Sequence, residues 1–104
     1  MEIIAVSLRR LGESELAFME KALAGDARVL VADAETIRLL QKMKLLKALG
    51  GLEVVVLGGR RLEEKVLELI SVYTPSKAYV CDEKGSLTAL TVILEKLPIP
   101  IVKC

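Results

Sequence analysis

Two stretches of this chain carry nearly the same order of apolar and polar positions. Residues 53–61 read Glu-Val-Val-Val-Leu-Gly-Gly-Arg-Arg, and residues 2–10 read Glu-Ile-Ile-Ala-Val-Ser-Leu-Arg-Arg. A continuous, β-branched apolar run closed by glycine or charge marks a strand covered on both faces, as in a parallel sheet. Helical spacing alternates with shorter apolar runs along the rest of the chain. Strands are predicted at 2–8, 28–32, 53–57, 77–81 and 98–102, and helices at about 12–25, 33–49, 62–73 and 86–97.

The helix signals are local and readable. Acids at Glu13 and Glu15, with Ser14 as a cap, open the first helix, and Leu16, Met19, Ala22 and Leu23 form its apolar face before Gly25 ends it. Asp33 stands at the N-cap position of the second helix. Leu39, Leu40, Met43 and Leu46 share its sheet-facing side, while Leu45 and Leu49 lie opposite with Arg38 and Lys42. The third helix places Leu62, Val66, Leu69 and Tyr73 inward. The fourth is apolar nearly all round, with a thin polar strip at Thr88, Thr91 and Glu95.

Strands alternating with helices across short connections imply parallel crossovers and an α/β fold, a three-layer α/β/α arrangement around a five-stranded, mostly parallel sheet. Residues 1–104 are expected to form a single domain, with 2–52 and 53–104 as two pseudo-repeats. Burial decides between two strand orders. The first and third strands are the most continuously apolar and are expected to be central. The second carries Arg28 and the fifth carries Pro98 and Pro100, which suits edges. The flavodoxin-like order 2-1-3-4-5 meets these conditions. The Rossmann-like order 3-2-1-4-5 is the alternative, and it puts Val54–Leu57 on an edge, where a bare valine strand invites aggregation.

Composition narrows the chemistry. The chain has 104 residues, 53% hydrophobic, with a formal net charge of +1 and only Phe18, Tyr73 and Tyr79 as aromatics. No global field favours nucleic acid or an anionic membrane, and no apolar run approaches the roughly 18 residues of a membrane span. The opening residues carry a strand pattern rather than a leader pattern, so a cytoplasmic protein is the expectation. There is no His, which removes the commonest general base and zinc ligand. The absence of Asn, with Gln41 as the sole Gln and abundant Lys, Glu and Arg, suits a thermophile. That origin would tolerate a cytosolic disulfide, and Cys81 and Cys104 end the fourth and fifth strands, within bonding reach if those strands are neighbours.

Three functional readings follow. The first is a binding or assembly module without enzyme activity or cofactor, a homodimer through helix two or helix four, with Leu45 and Leu49 as the strip needing cover. The second is a phosphate or nucleotide (anion) site at the strand C-terminal ends. Order 2-1-3-4-5 flanks its switch point with Arg9, Arg10, Arg60 and Arg61, and Gly58 and Gly59 would let backbone approach a phosphate-bearing small ligand. The plainer account pairs those arginines with Glu13 and Glu64 on a solvated rim. The third is metal-dependent phosphodiester hydrolysis by Asp33, Asp82 and Glu83, although acids at strand-to-helix junctions usually serve as caps. Phosphoacceptor chemistry on this topology needs acids after strands one and three, where the chain has arginines. Nucleic acid is not indicated, because the basic residues of helix two split onto two flanks without exposed aromatics.

Overall fold

The computed structural model describes residues 1–43, 51–58 and 62–104, with the backbone alone for 62, 63, 69 and 73. The elements are β1 (Glu2–Ser7), α1 (Glu13–Leu23), β2 (Ala27–Asp33), α2 (Ala34–Lys42), β3 (Glu53–Leu57), α3 (Leu62–Tyr73), β4 (Lys77–Asp82), α4 (Thr88–Glu95) and β5 (Ile101–Lys103). The five strands form one sheet in the order β3-β2-β1-β4-β5, and every neighbouring pair is parallel. This is the Rossmann-like order, not the flavodoxin-like order that strand apolarity favoured.

The centre of the sheet is β1, in which every residue from Ile3 to Ser7 is buried. Alternation along the strands assigns two faces. Ile3, Ala5, Val29, Val31, Ala78 and Val80 pack with Val66 of α3 and Leu90 and Leu94 of α4. Ile4, Val6, Leu30, Ala32, Tyr79 and Cys81 pack with Phe18, Met19 and Ala22 of α1 and Leu40 of α2. Phe18 meets Tyr79 edge-on, ring centroids 6.1 Å apart. The chain therefore winds outward from β1 to β3 under α1 and α2, returns beside β1, and winds the other way under α3 and α4.

The correction concerns β3. Only Val55 is buried in it, while Val54 and Val56 are 39% and 52% exposed. A β-branched run records that a strand is apolar on both sides. It does not record which strand lies next to it, and the crossover path sets that. The fifth strand does sit at an edge, where Pro100 offers its carbonyl to the Ala78 N–H at 3.1 Å and its missing donor costs nothing.

Helix entries also differ in detail. Gly12, not Ser14, is the N-cap of α1, and its N–H donates to Glu15 Oε1 at 3.2 Å. In α2 the sheet-facing pair is Thr36 and Leu40, and Met43 is exposed. The positions Leu45, Leu46 and Leu49, and the side chains of Leu62, Leu69 and Tyr73, lie outside the described residues. In α4, Leu90 and Leu94 are buried and Ile93 is half-buried. Among the large apolar residues of this helix, Val92 alone is exposed, so its wide apolar arc is mostly covered within the fold.

Thr36 fastens α2 to the end of β1. Its buried hydroxyl accepts the Leu8 N–H at 2.8 Å and donates to Asp33. Replacing Thr36 by Val keeps the shape and orphans a buried N–H, so it is expected to cost about 1–3 kcal/mol in urea unfolding. Thr36→Ser retains the acceptor and loses one methyl, with an expected cost of about 0.8 kcal/mol. Equal losses in the two variants would show that the hydroxyl carries no special weight.

Candidate functional site

The C-terminal ends of the strands share one rim, and the register places three polar side chains side by side on it. Ser7 is paired with Asp82 across β1–β4, and Asp33 follows the Val6–Ala32 pair across β1–β2. By alternation, Asp33, Ser7 and Asp82 all belong to the face covered by α3 and α4. With β1 between β2 and β4, Asp33 and Asp82 flank a single strand. The order expected from the sequence would have put two strands between them.

Each acid of this rim already has partners. Asp33 accepts the Thr36 N–H at 3.4 Å, the Thr36 hydroxyl, and Lys84 Nζ at 2.8 Å. Asp82 accepts the N–H groups of Ser86 and Leu87 at 2.9 and 3.0 Å and caps the turn that leads into α4. Glu83 accepts the Arg9 N–H at 2.9 Å and donates its own N–H to Ser7 O at 2.8 Å. Among the described residues, no group of three or more His, Cys, Asp or Glu is arranged to hold a metal ion. The three acids close loop backbones rather than converge on a common point. Ser7 Oγ is buried between Asp33 and Asp82; no partner lies in direct hydrogen-bonding geometry among the described residues, yet the hydroxyl is near enough to help hold the Asp33 carboxyl low.

Lys84 was not singled out by the sequence, and it organises the charge here. From the β4–α4 loop it crosses the end of β1 to reach Asp33, and it meets Glu35 at 2.7 Å. Burial pushes the Asp33 carboxyl up, but the hydrogen bonds and charge of Lys84 and the bond from Thr36 outweigh it and hold the group at about 2. The hydrogen bonds to Asp33 and Glu35 in turn push the Lys84 ammonium up. A lysine in a loop of Asp, Glu, Lys, Gly and Ser gives no periodic signal, so only the return of β4 beside β1 reveals its partners.

The crevice between β1 and β3 that the arginine pairs were expected to flank does not form. Because β2 separates β1 from β3, the switch point lies between β1 and β4 instead. Arg9 and Arg10 stand at the end of β1. Arg10 Nε lies 3.4 Å from Glu15, a buried carboxylate, so Glu15 is the acid this arginine meets rather than Glu13. The Ser14 hydroxyl and the Gly12 N–H help hold Glu15 below its usual range against the opposing effect of burial. Gly58 ends β3 with a φ of 126°, a conformation that favours glycine. Gly59, Arg60 and Arg61 lie outside the described residues.

Two further features distinguish the sheet edges. At the β5 edge, Cys81 and Cys104 are joined as a disulfide with Cα atoms 5.1 Å apart, continuing the register Val80–Lys103 by one step. At the opposite edge β3 presents Val54 and Val56, with no strand beyond it among the described residues. No helix of the described residues is long and apolar enough to cross a membrane.

Two outcomes test this geometry. The folded protein holds Asp33 ionised more strongly than the unfolded chain does. The stability it contributes is therefore present above the ordinary value of 3.8 and lost as the pH falls through about 2. Lys84→Met should raise the Asp33 midpoint in an NMR carboxyl titration and weaken that acid dependence. An unmoved midpoint would show that Lys84 does not hold the group. For the disulfide, closing a loop with a sequence separation of 23 constrains the unfolded chain by about 3 kcal/mol. Reduction should lower unfolding stability by about that amount. The untreated protein should weigh two hydrogens less than the reduced one by intact mass, and free thiols in it would remove the bond.

The chain matches no protein-family model, no curated protein and no solved structure.

Proposed function

We propose that this protein is an assembly module that pairs with a second copy of itself along the edge of β3. The observation that carries the reading is the exposure of Val54 and Val56 on an edge strand. Edge strands are normally blunted by charge, proline, a bulge or a cover, because an open edge templates pairing with another chain. β5 has proline and a disulfide at its edge. The interior of β3 has only valines.

The sequence of β3 also complements itself. An antiparallel two-fold pairing centred on Val55 sets Val54 of one copy against Val56 of the other, and Glu53 against Leu57. Four valines then gather on the face that carries α1 and α2, and the two Val55 side chains gather on the other. No two like charges face each other across the seam. Cross-strand β-branched pairs of this kind contribute about 0.2–1 kcal/mol each, in addition to the backbone ladder and the area removed from water. Leu45 and Leu49 of the earlier helix-two expectation lie outside the described residues and are not needed for this pairing.

Sedimentation equilibrium is the direct measurement. The wild type is expected to give the mass of two chains, and Val54→Lys combined with Val56→Lys should give one, with an unchanged far-UV spectrum. The charges face each other across the seam, so the dissociation constant should rise by roughly tenfold or more. A wild type that stays at one chain at the highest attainable concentration overturns the proposal. A dimer that survives both lysines moves the interface away from β3.

A further inference from the structure

The rim holds a second feature on the other face of the sheet, independent of the β3 edge. Between the end of β1 and α2 lies a cleft of about 200 Å³, lined by Leu8, Arg9, Glu35, Arg38, Leu39 and Lys42. We infer that this cleft binds the phosphate group of a small phosphate monoester through Arg9, Arg38 and Lys42.

The charge pattern is the first argument. Three cations line one small cleft, and among the described residues the side chains of Arg9, Arg38 and Lys42 make no ion pair. Arg38 and Lys42 are four apart on one face of α2, a like-charge spacing that works against the helix rather than for it. Glu35, the only acid among the described residues of the lining, is paired with Lys84, whose Nζ sits 2.7 Å from it and is shared with Asp33. The cleft is thus left with uncompensated positive charge. Arginine forks suit phosphate oxygens, and a flexible ammonium beside them adds charge without fixing a direction.

Position and shape supply the second argument. The bond from the Leu8 N–H to Thr36 Oγ1 fastens the first turn of α2 to β1 and so holds Arg9 across from Arg38 and Lys42. Arg9 itself is anchored by its backbone, whose N–H donates to Glu83. Leu8 is fully buried and Leu39 half-buried, which gives the cleft an apolar floor under a basic mouth. A phosphate with a short carbon skeleton fits that division. The volume is below the roughly 300–1,000 Å³ of sites for drug-sized ligands, which favours a small monoester. The site opens to solvent, so its attraction falls with salt.

The test uses NMR titration of the full chain with inorganic phosphate and with phenyl phosphate at constant ionic strength. Both should shift the amides of Leu8, Arg9 and residues 38–42 to saturation, phenyl phosphate more tightly. Arg38→Gln should weaken binding by about tenfold, the loss of one charge-assisted bond. Glu35→Gln, which removes the only acid among the described residues of the lining, should tighten it. Arg10→Gln, whose parent meets Glu15 outside the cleft, should change nothing. Thermal midpoints establish that each variant is folded. Unchanged affinity in Arg38→Gln, weaker binding in Glu35→Gln, or shifts scattered over the surface overturn the assignment. A short oligouridylate that binds more tightly than either probe, with a footprint beyond the cleft, overturns it in favour of a nucleic-acid surface.

Discussion

The burial of β1 from Ile3 to Ser7 is the constraint on which the rest of the structure depends. A strand paired on both sides and covered on both faces has no access to water, so the backbone N–H and C=O groups at its end must find partners within the protein. Where the ladder ends, the loops supply them: Thr36 takes the Leu8 N–H, Glu83 donates to Ser7 O, and Glu83 also takes the Arg9 N–H. The β2–α2 and β4–α4 junctions are thereby drawn over the end of β1 from opposite sides. Lys84 completes the closure by joining them through Asp33 and Glu35.

This closure accounts for what the rim acids do and leaves a consequence for the cations. Asp33, Asp82 and Glu83 share the rim that a catalytic reading would want, yet each is engaged by backbone N–H groups, a hydroxyl or Lys84. Their carboxylates stabilise junctions. Because Lys84 also pairs with Glu35, the side chains of Arg9, Arg38 and Lys42 line their cleft without an ion pair of their own among the described residues. One lysine therefore sets the charge balance on both faces of the rim.

The two ends of the sheet solve the edge problem differently. β5 is three residues long, follows two prolines, and is held to β4 by a covalent bond whose inner sulfur belongs to a buried residue. β3 is longer, free of proline and valine-rich, with its outward positions exposed. Among the described residues, one edge is closed covalently and the other presents exposed valines, and the proposed self-pairing rests on that contrast.

Much of the local structure was legible in the sequence. Apolar runs and helical spacing determined five strands and four helices, the parallel α/β class, the cap role of Asp33 and the edge position of the proline-bearing fifth strand, because each depends on residues close in sequence. The two near-identical runs, Ile3–Leu8 and Val54–Leu57, show where that legibility stops. One is buried at the centre and the other lies at an edge, since the crossover path, not the apolarity of a strand, decides its neighbours. The same path decided that Asp33 and Asp82 flank Ser7, that Lys84 reaches across β1, and that Arg9 shares a cleft with Arg38 and Lys42. Those pairings join residues tens of positions apart, and only the tertiary structure brings them within hydrogen-bonding or electrostatic range.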